Sequence, residues 1–245
     1  IYAYWTVNTY TVIANGTFGT TTGWTDGTEA GTKQKTVTYD ATYGTLPTVT
    51  RPGYTLQGWN TASDGTGSTI AADTKVTITA TLKIYAKWSA NKYKVVFNGN
   101  GGTLTKTTAL DTNFSFIARY GTTYTISTYV TGGSRTGYTF AGFTYNGTAY
   151  TVSSTFENLN NGVNPSTADA DIAAANTVTF TAQWTANKYT VIAYPNGGTF
   201  GTTTGWTDGT EAGTKQKSVT YDATYGTLPT VTRLGYTFQS WNTAS

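Results

Sequence analysis

The sequence of 245 residues contains no histidine, cysteine or methionine. Without histidine and cysteine it cannot form a Ser-His-Asp or Cys-His relay, a histidine metal site or a disulfide. Charged residues make up only 11% of the chain and form no basic run, whereas about 25% is usual in soluble domains. We therefore expect no catalytic site, no metal or other cofactor and no nucleic-acid partner.

Long apolar runs are also missing. No stretch approaches the roughly 20 apolar residues that a membrane-spanning helix requires, so we expect no membrane span in this segment. Residue 1 already lies in a strand-like pattern, so we expect no signal peptide at the start.

What the sequence does contain is threonine, about a quarter of all residues, together with 28 Gly and 19 Tyr. Threonine and aromatic residues favour a pleated, half-buried surface, and glycine supplies turns. The composition predicts a mainly β protein with at most short helices. One helix candidate is "PSTADADIAAAN" at 165–176, with Ser166 as its N-cap.

The sequence repeats itself internally. Residues 19–63 and 201–245 align without gaps and differ at four positions. "IYAKWSANKY" at 84–93 resembles "FTAQWTANKY" at 180–189 and the opening "IYAYWTVNTY". "YGTLP" at 43–47 corresponds loosely to "YGTTY" at 120–124. We divide the chain into the tail of a preceding repeat, repeat one, repeat two and an incomplete repeat three, which cover residues 1–8, 9–91, 92–187 and 188–245.

The boundaries of the repeats do not coincide with the two ends of the sequence. We therefore expect the sequence to be part of a longer array of repeats. The ties between repeats, "SANK" at 89–92 and "TANK" at 185–188, are about four residues long. So short a tie restricts motion, which favours a head-to-tail, semi-rigid rod.

Three segments share one nine-residue phrase: "RPGYTLQGW" at 51–59, "RTGYTFAGF" at 135–143 and "RLGYTFQSW" at 233–241. The first glycine suits a turn with positive φ, and Arg51 is placed to stack on an aromatic ring. Trp59 shares the face of Tyr54 only if Gly58 forms a bulge. The phrase serves either as core and turn or as a binding edge formed by an exposed Trp or Tyr.

Two further phrases read as strands. "TLKIYAKW" at 81–88 alternates, with Leu82, Ile84, Ala86 and Trp88 on one face. "YKVVFNGNGG" at 93–102 places Tyr93, Val95 and Phe97 on one face and then turns on Asn-Gly, a hairpin signal.

In this order the phrases resemble the Listeria–Bacteroides repeat, the internalin-B-type B repeat of bacterial surface proteins. The sequence departs from that pattern by an insertion at 15–35 and by an excursion at 153–176. The resemblance implies tandem small β-grasp-like domains in the extracellular part of a surface protein. It also implies a spacer or adhesion role rather than an enzyme.

Tryptophan in the insertion provides the candidate contact site. Trp24 and Trp206 lie among polar residues, where an exposed indole is a usual platform for sugars or a neighbouring chain. The alternative is that each ring folds back to cover the open edge of its own domain. Three sequons mark possible glycosylation sites, at Asn15, Asn113 and Asn146.

The sequence thus predicts a structural segment, a stalk or fibre at the cell surface whose partners are neighbouring repeats or copies of itself. One alternative is an adhesin that contacts glycans or proteins through the inserts around Trp24, Trp206 and 158–164. Another is a filament subunit in which the spare first strand of one chain is added to the next. That strand comprises Ile1, Tyr2, Ala3, Tyr4 and Trp5.

Overall fold

A computed structural model describes residues 1–243, so residues 244 and 245 of predicted repeat three lie outside the described part. The chain forms two compact units. The first contains residues 1–97, 107–129 and 153–180, and the second contains residues 98–106, 130–152 and those from 181 onward. The structure is mainly β, as predicted. Among the described residues, no helix has the length and apolar character needed to cross a membrane.

Residues 9–90 form one six-stranded sheet. Its strands are β1 (Thr9–Asn15), β2 (Thr25–Asp26), β3 (Thr32–Thr38), β4 (Tyr54–Asn60), β5 (Thr69–Ile70) and β6 (Leu82–Ala90). The strand order is β2-β3-β1-β6-β4-β5. β1 and β6 lie side by side and parallel, while β1 with β3 and β6 with β4 are antiparallel. Adjacent, parallel first and last long strands are the β-grasp-like arrangement.

The core of this sheet comes from alternation along its strands. Ile84 is fully buried and Leu82, Ala86 and Trp88 pack against the same core, as the pattern in "TLKIYAKW" predicts. The connection between β3 and β4 contains no helix and instead inserts Tyr43 and Val49 into the core. Tyr43 and Val49 therefore supply the hydrophobic burial on this face of the sheet in place of a helix.

A bulge in β4 brings its tryptophan into this core. The register of β4 against β6 shifts between Leu56 and Gly58, and Gly58 has a φ of +140°. The extra residue turns Trp59 inward, where its indole N–H donates to the Pro47 carbonyl at 3.2 Å. The predicted bulge is confirmed, and it depends on a conformation that residues with a Cβ rarely adopt.

Residues 92–186 form a second set of strands. They are β7 (Lys92–Asn98), β8 (Thr103–Lys106), β9 (Ser115–Arg119), β10 (Tyr124–Thr125), β11 (Val130–Ser134), β12 (Tyr138–Tyr145), β13 (Thr148–Tyr150), β14 (Thr155–Phe156) and β15 (Thr177–Ala186). Five of them form a sheet in the order β13-β12-β15-β7-β9. The other four pair as β8 with β11 and β10 with β14.

The Asn-Gly turn after β7 forms, but it does not close a hairpin. Asn100 and Gly101 both have positive φ, and the Gly102 N–H donates to the Gly99 carbonyl at 3.0 Å. β7 pairs with β9, whereas β8 pairs with β11. The predicted hairpin is therefore wrong, because the turn redirects the chain into a different sheet.

The predicted helix at 165–176 is wrong as well. That segment contains two three-residue 3₁₀ turns, Asp169–Asp171 and Ala174–Asn176, and a third such turn lies at Ile126–Thr128. The turns start after Ala168 and Ala173 without a side-chain cap, so Ser166 caps neither of them. With no cap and with Ile172 as the one buried side chain between residues 165 and 176, so short a segment cannot stabilise an α-helix.

The last strands are β16 (Lys188–Ala193), β17 (Thr199–Phe200), β18 (Thr207–Asp208), β19 (Lys215–Thr220) and β20 (Val231–Thr232). β16, β19 and β18 form a three-stranded sheet, and β17 pairs with β20. Residues 237–242 belong to no strand, although they match most of β4 in sequence.

Candidate functional site: the junctions between repeats

The ties between repeats are shorter in the structure than the sequence suggests. β6 ends at Ala90 and β7 begins at Lys92, so only Asn91 separates them. β15 ends at Ala186 and β16 begins at Lys188, so only Asn187 separates that pair. Each tie is a single asparagine.

Asn91 is held by its backbone and by its side chain. Its N–H donates to the Gly53 carbonyl at 2.9 Å, and its carbonyl accepts from the Tyr120 N–H at 2.9 Å. Its side-chain oxygen accepts from the Thr55 hydroxyl at 2.5 Å. These three hydrogen bonds join the tie to β4 and the residue before it in repeat one and to the residue after β9 in repeat two.

An aromatic contact lies beside these hydrogen bonds. The Tyr120 ring meets the Tyr54 ring edge to face, with centroids 5.5 Å apart. The Arg51 guanidinium stacks over the Tyr54 ring at 3.9 Å, as predicted. A Cβ on Gly53 would overlap the Tyr120 ring, and Gly53 has a φ of +75°. Glycine is required here both for the backbone conformation and for the approach of the tyrosine.

We call this set of residues the first junction: Gly53, Tyr54, Thr55, Asn91 and Tyr120. The second junction repeats it with Gly137, Tyr138, Thr139, Asn187 and Tyr221. Here the Asn187 N–H donates to the Gly137 carbonyl at 2.8 Å, and its carbonyl accepts from the Tyr221 N–H at 2.9 Å. The Thr139 hydroxyl donates to Asn187 at 2.6 Å. Tyr138 and Tyr221 meet edge to face at 5.5 Å, so the same contacts are built twice.

The second junction adds a charged hydrogen bond. The Tyr138 hydroxyl donates to the Asp222 carboxylate at 3.0 Å. This hydrogen bond to Asp222, together with burial, raises the pKa of Tyr138 above its ordinary value. The phenol is therefore un-ionised at neutral pH and can donate this bond.

The first junction is reinforced by the excursion of repeat two. Lys92 exchanges two backbone hydrogen bonds with Val163, at 3.0 and 2.9 Å, and its ammonium donates to Asp169 at 2.6 Å. Lys92 is buried, while Asp169 is exposed. The side chain of Asn158 accepts from the Gly121 N–H. Part of segment 158–164, a predicted contact region, therefore packs against the first junction.

Comparison with known proteins agrees with the repeated architecture. The model of the Listeria-Bacteroides repeat domain matches residues 17–87 and 189–245, together more than half of the chain. The chain belongs to the Listeria-Bacteroides repeat family. The matches lie in repeats one and three, and the divergent middle copy lies outside both matched segments.

One relative is a protein of Evansella cellulosilytica that is described by its name as a Gly-rich membrane protein. It is 42% identical over 57 residues, which cover 21% of this chain and 7% of the relative. The chain therefore spans only a small part of that protein's length. No solved structure gives a significant match.

The two candidate tryptophans are buried in the structure. Trp24 and Trp206 are only 6% and 7% exposed. Their indole N–H groups donate to the carbonyls of Thr45 and Thr227, both at 2.9 Å. Of the two alternatives for these rings, the structure shows the second, in which each ring folds back onto its own repeat. The polar residues before each ring form the turn that folds it back, with the Trp24 backbone N–H donating to the Thr21 carbonyl and the Trp206 backbone N–H to the Thr203 carbonyl.

The other predicted sites are all on the surface. The side chains of Asn15, Asn113 and Asn146 are exposed, and glycosylation at these positions stays a prediction. Residues 1–8 belong to no strand and are exposed along their whole length. Among the described residues, no three acidic side chains lie close enough together to hold a metal ion.

The roles of Thr55, Asn91 and Tyr120 at the first junction were not predicted from the sequence. The similarity of "YGTTY" to "YGTLP" pairs Tyr120 with Tyr43. The hydrogen bond from the Tyr120 N–H to the asparagine of the tie instead makes Tyr120 the counterpart of Tyr39 and Tyr221. The available signal was the asparagine that recurs at the same place in each tie, at 8, 91 and 187.

Proposed function

We propose that this chain is a structural segment of an extracellular bacterial surface protein, a stalk in which each repeat is docked onto the next. The observation that carries this proposal is the junction, built twice from equivalent residues with nearly equal distances. A chain selected only to link independent domains has no need for a tie with a fixed hydrogen-bond pattern.

The contacts at the tie explain why it restricts the rotation of one repeat relative to the next. Rotation about Asn91 breaks its bonds to Gly53, Tyr120 and Thr55 together and separates the Tyr54 ring from that of Tyr120. Each neutral hydrogen bond contributes about 0.5–1.5 kcal/mol, and an aromatic pair contributes about 0.5–1.5 kcal/mol beyond its buried area. The sum favours one orientation over free rotation.

The proposed surface location is supported by the family rather than by the geometry. Listeria-Bacteroides repeats occur in bacterial surface proteins. The name of the Evansella relative, a Gly-rich membrane protein, agrees with a place at the cell envelope. We keep the stalk as the proposal over the adhesin, because Trp24 and Trp206 are buried and engaged.

Deletion and replacement of one repeat tests the stalk. The chain is placed between a surface anchor and a terminal epitope tag, and antibody access to the tag is measured on intact cells. Deleting residues 92–187 joins Asn91 directly to Lys188, which preserves the order of the tie, and we expect it to reduce access. Inserting a copy of residues 9–91 in its place should restore access, because a spacer depends on length.

A binding module would not show this dependence of antibody access on length. If the deletion leaves access unchanged, or if only the native residues 92–187 restore it, the chain does not act as a spacer.

A further inference from the structure

The first and last long strands of repeat one lie where tension along the chain enters and leaves the repeat. β1 begins at Thr9, directly after Asn8, and β6 ends at Ala90, directly before Asn91. Because each asparagine adjoins its strand, a pull on the chain at either side reaches the end of that strand without an intervening linker.

The pairing of these two strands decides how they respond to such a pull. β1 and β6 are parallel neighbours that pair at four positions: Val12 with Leu82, Ile13 with Lys83, Ala14 with Ile84 and Asn15 with Tyr85. In a parallel pair, the start of one strand and the end of the other lie at opposite ends. In this register Thr9 and Ala90 are separated by about 36 Å along the strands, at about 3.3 Å per residue.

Tension applied at those two ends loads the pair in shear. The backbone hydrogen bonds run across from one strand to the other, so a lengthwise pull loads all four paired positions at once. A sideways pull from one end would instead break the positions in turn. Positions that break together require more force than positions that break singly.

The buried side chains prevent a gradual slip of one strand along the other. Val12, Ala14 and Ile84 are fully buried, and a slip of one residue would turn the inward-facing side chains to the opposite face. The nearest register that keeps them inward is two residues away, or about 6.6 Å along the strand. All four paired positions must therefore open before a new register can form.

Each of the two strands is also held on its other edge. β1 pairs with β3 at seven positions, and β6 pairs with β4 at six. The four positions between β1 and β6 are the shortest of these three pairings. We therefore expect repeat one to yield under tension between β1 and β6.

We propose that β1 and β6 form a mechanical clamp, defined as the four pairs between residues 12–15 and 82–85, which lets repeat one resist tension along the chain. A stalk that is anchored at one end and held at the other transmits tension through every repeat. The inference thus rests on the proposed stalk, and it goes beyond it because a spacer requires only length and no resistance to force.

Two directions of pulling on the same repeat test the clamp. The chain has no native cysteine, so pairs of introduced cysteines attach the full chain to an optical trap through DNA handles. Thr9→Cys with Ser89→Cys pulls the two strands lengthwise, whereas Thr11→Cys with Thr81→Cys pulls them apart sideways from the end where their pairing starts. All four replaced residues have small hydroxyl side chains, and strand alternation places them on the face opposite the core.

We expect the lengthwise pull to need about two- to fourfold more force at the same pulling speed, because four paired positions open together rather than in turn. Complete unfolding between the attachment points should lengthen either tether by about 250 Å, since an extended chain spans up to about 3.6 Å per residue. This equal step shows that the same folded segment has opened in both experiments.

Two matched core substitutions separate the clamp from general stability. Ile84→Val removes one carbon inside the clamp, and Ile70→Val removes one carbon in β5, outside it; both isoleucines are buried. Forced unfolding depends on the rate of unfolding rather than on equilibrium stability. We therefore expect Ile84→Val to lower the lengthwise rupture force and Ile70→Val to leave it unchanged, although both should lower stability in urea.

Three results would overturn the clamp. One is an equal rupture force in the two directions of pulling. Another is a lengthwise tether that extends without a distinct step. The third is an equal loss of lengthwise rupture force in the two isoleucine variants. None of these results changes the antibody test of the stalk, because that test depends on length alone.

Discussion

Gly53→Ala should weaken the first junction, and the structure gives the size of the effect. Gly53 has a φ of +75°, where a residue with a Cβ costs about 1–2 kcal/mol. The new Cβ also displaces the Tyr120 ring and removes an aromatic contact worth about 0.5–1.5 kcal/mol. We expect a loss of about 1.5–3.5 kcal/mol in the free energy of unfolding.

A double-mutant cycle separates the two contributions. In a Tyr120→Ala background the ring is absent, so Gly53→Ala should cost only the backbone strain of about 1–2 kcal/mol. Gly235→Ala is a matched control, because this glycine has nearly the same φ and its Cβ would meet open space.

Urea denaturation followed by tryptophan fluorescence measures the unfolding free energies, and hydrogen exchange of the Asn91 and Tyr120 amides reports on the junction itself. If Gly53→Ala costs the same with and without the Tyr120 ring, the socket does not hold the tyrosine and the reasoning fails.

Three further predictions concern the repeats. Trp24→Phe removes the hydrogen bond to the Thr45 carbonyl and should lower the unfolding free energy by about 1–2 kcal/mol in urea; no change would contradict a core role. Gly58→Ala should cost about 1–3 kcal/mol in thermal unfolding, because the bulge needs its positive φ, and an unchanged melting temperature would contradict this. Burial raises the pKa of Asp111, but hydrogen bonds, chiefly from Ser115, outweigh it and hold that pKa below its ordinary value. Asp111 therefore contributes stability above about pH 4 that is lost as pH falls, and unfolding curves of Asp111→Asn should show a smaller loss on acidification.

Local patterns along the chain predicted much of the fold. Alternation identified the buried face of β6, and the need to turn Trp59 inward identified the bulge at Gly58. These features depend on neighbouring residues in one strand, so sequence period is enough to find them.

Features that depend on contacts between residues distant in sequence could not be predicted from local patterns. The Asn-Gly turn at 100–101 has the geometry of a hairpin turn, but strand pairing across the fold decides otherwise. The burial of Trp24 depends on a carbonyl 21 residues away, and the first junction joins Tyr120 to Asn91 and Thr55 to Asn91, which are distant in sequence. No local pattern encodes such contacts, although the recurrence of an asparagine at each tie indicated that it has a role.

The central claim is that a repeat is fixed on the next one at its junction, and a distance measurement tests this directly. Spin labels are attached to Asp73→Cys in repeat one and Thr112→Cys in repeat two, both of which are exposed. Double electron–electron resonance should give a narrow distance distribution in the otherwise native chain. It should give a broad one after Asn91→Gly and Tyr120→Ala are introduced together. A broad distribution in the native chain, or one that the two substitutions leave unchanged, would contradict the claim.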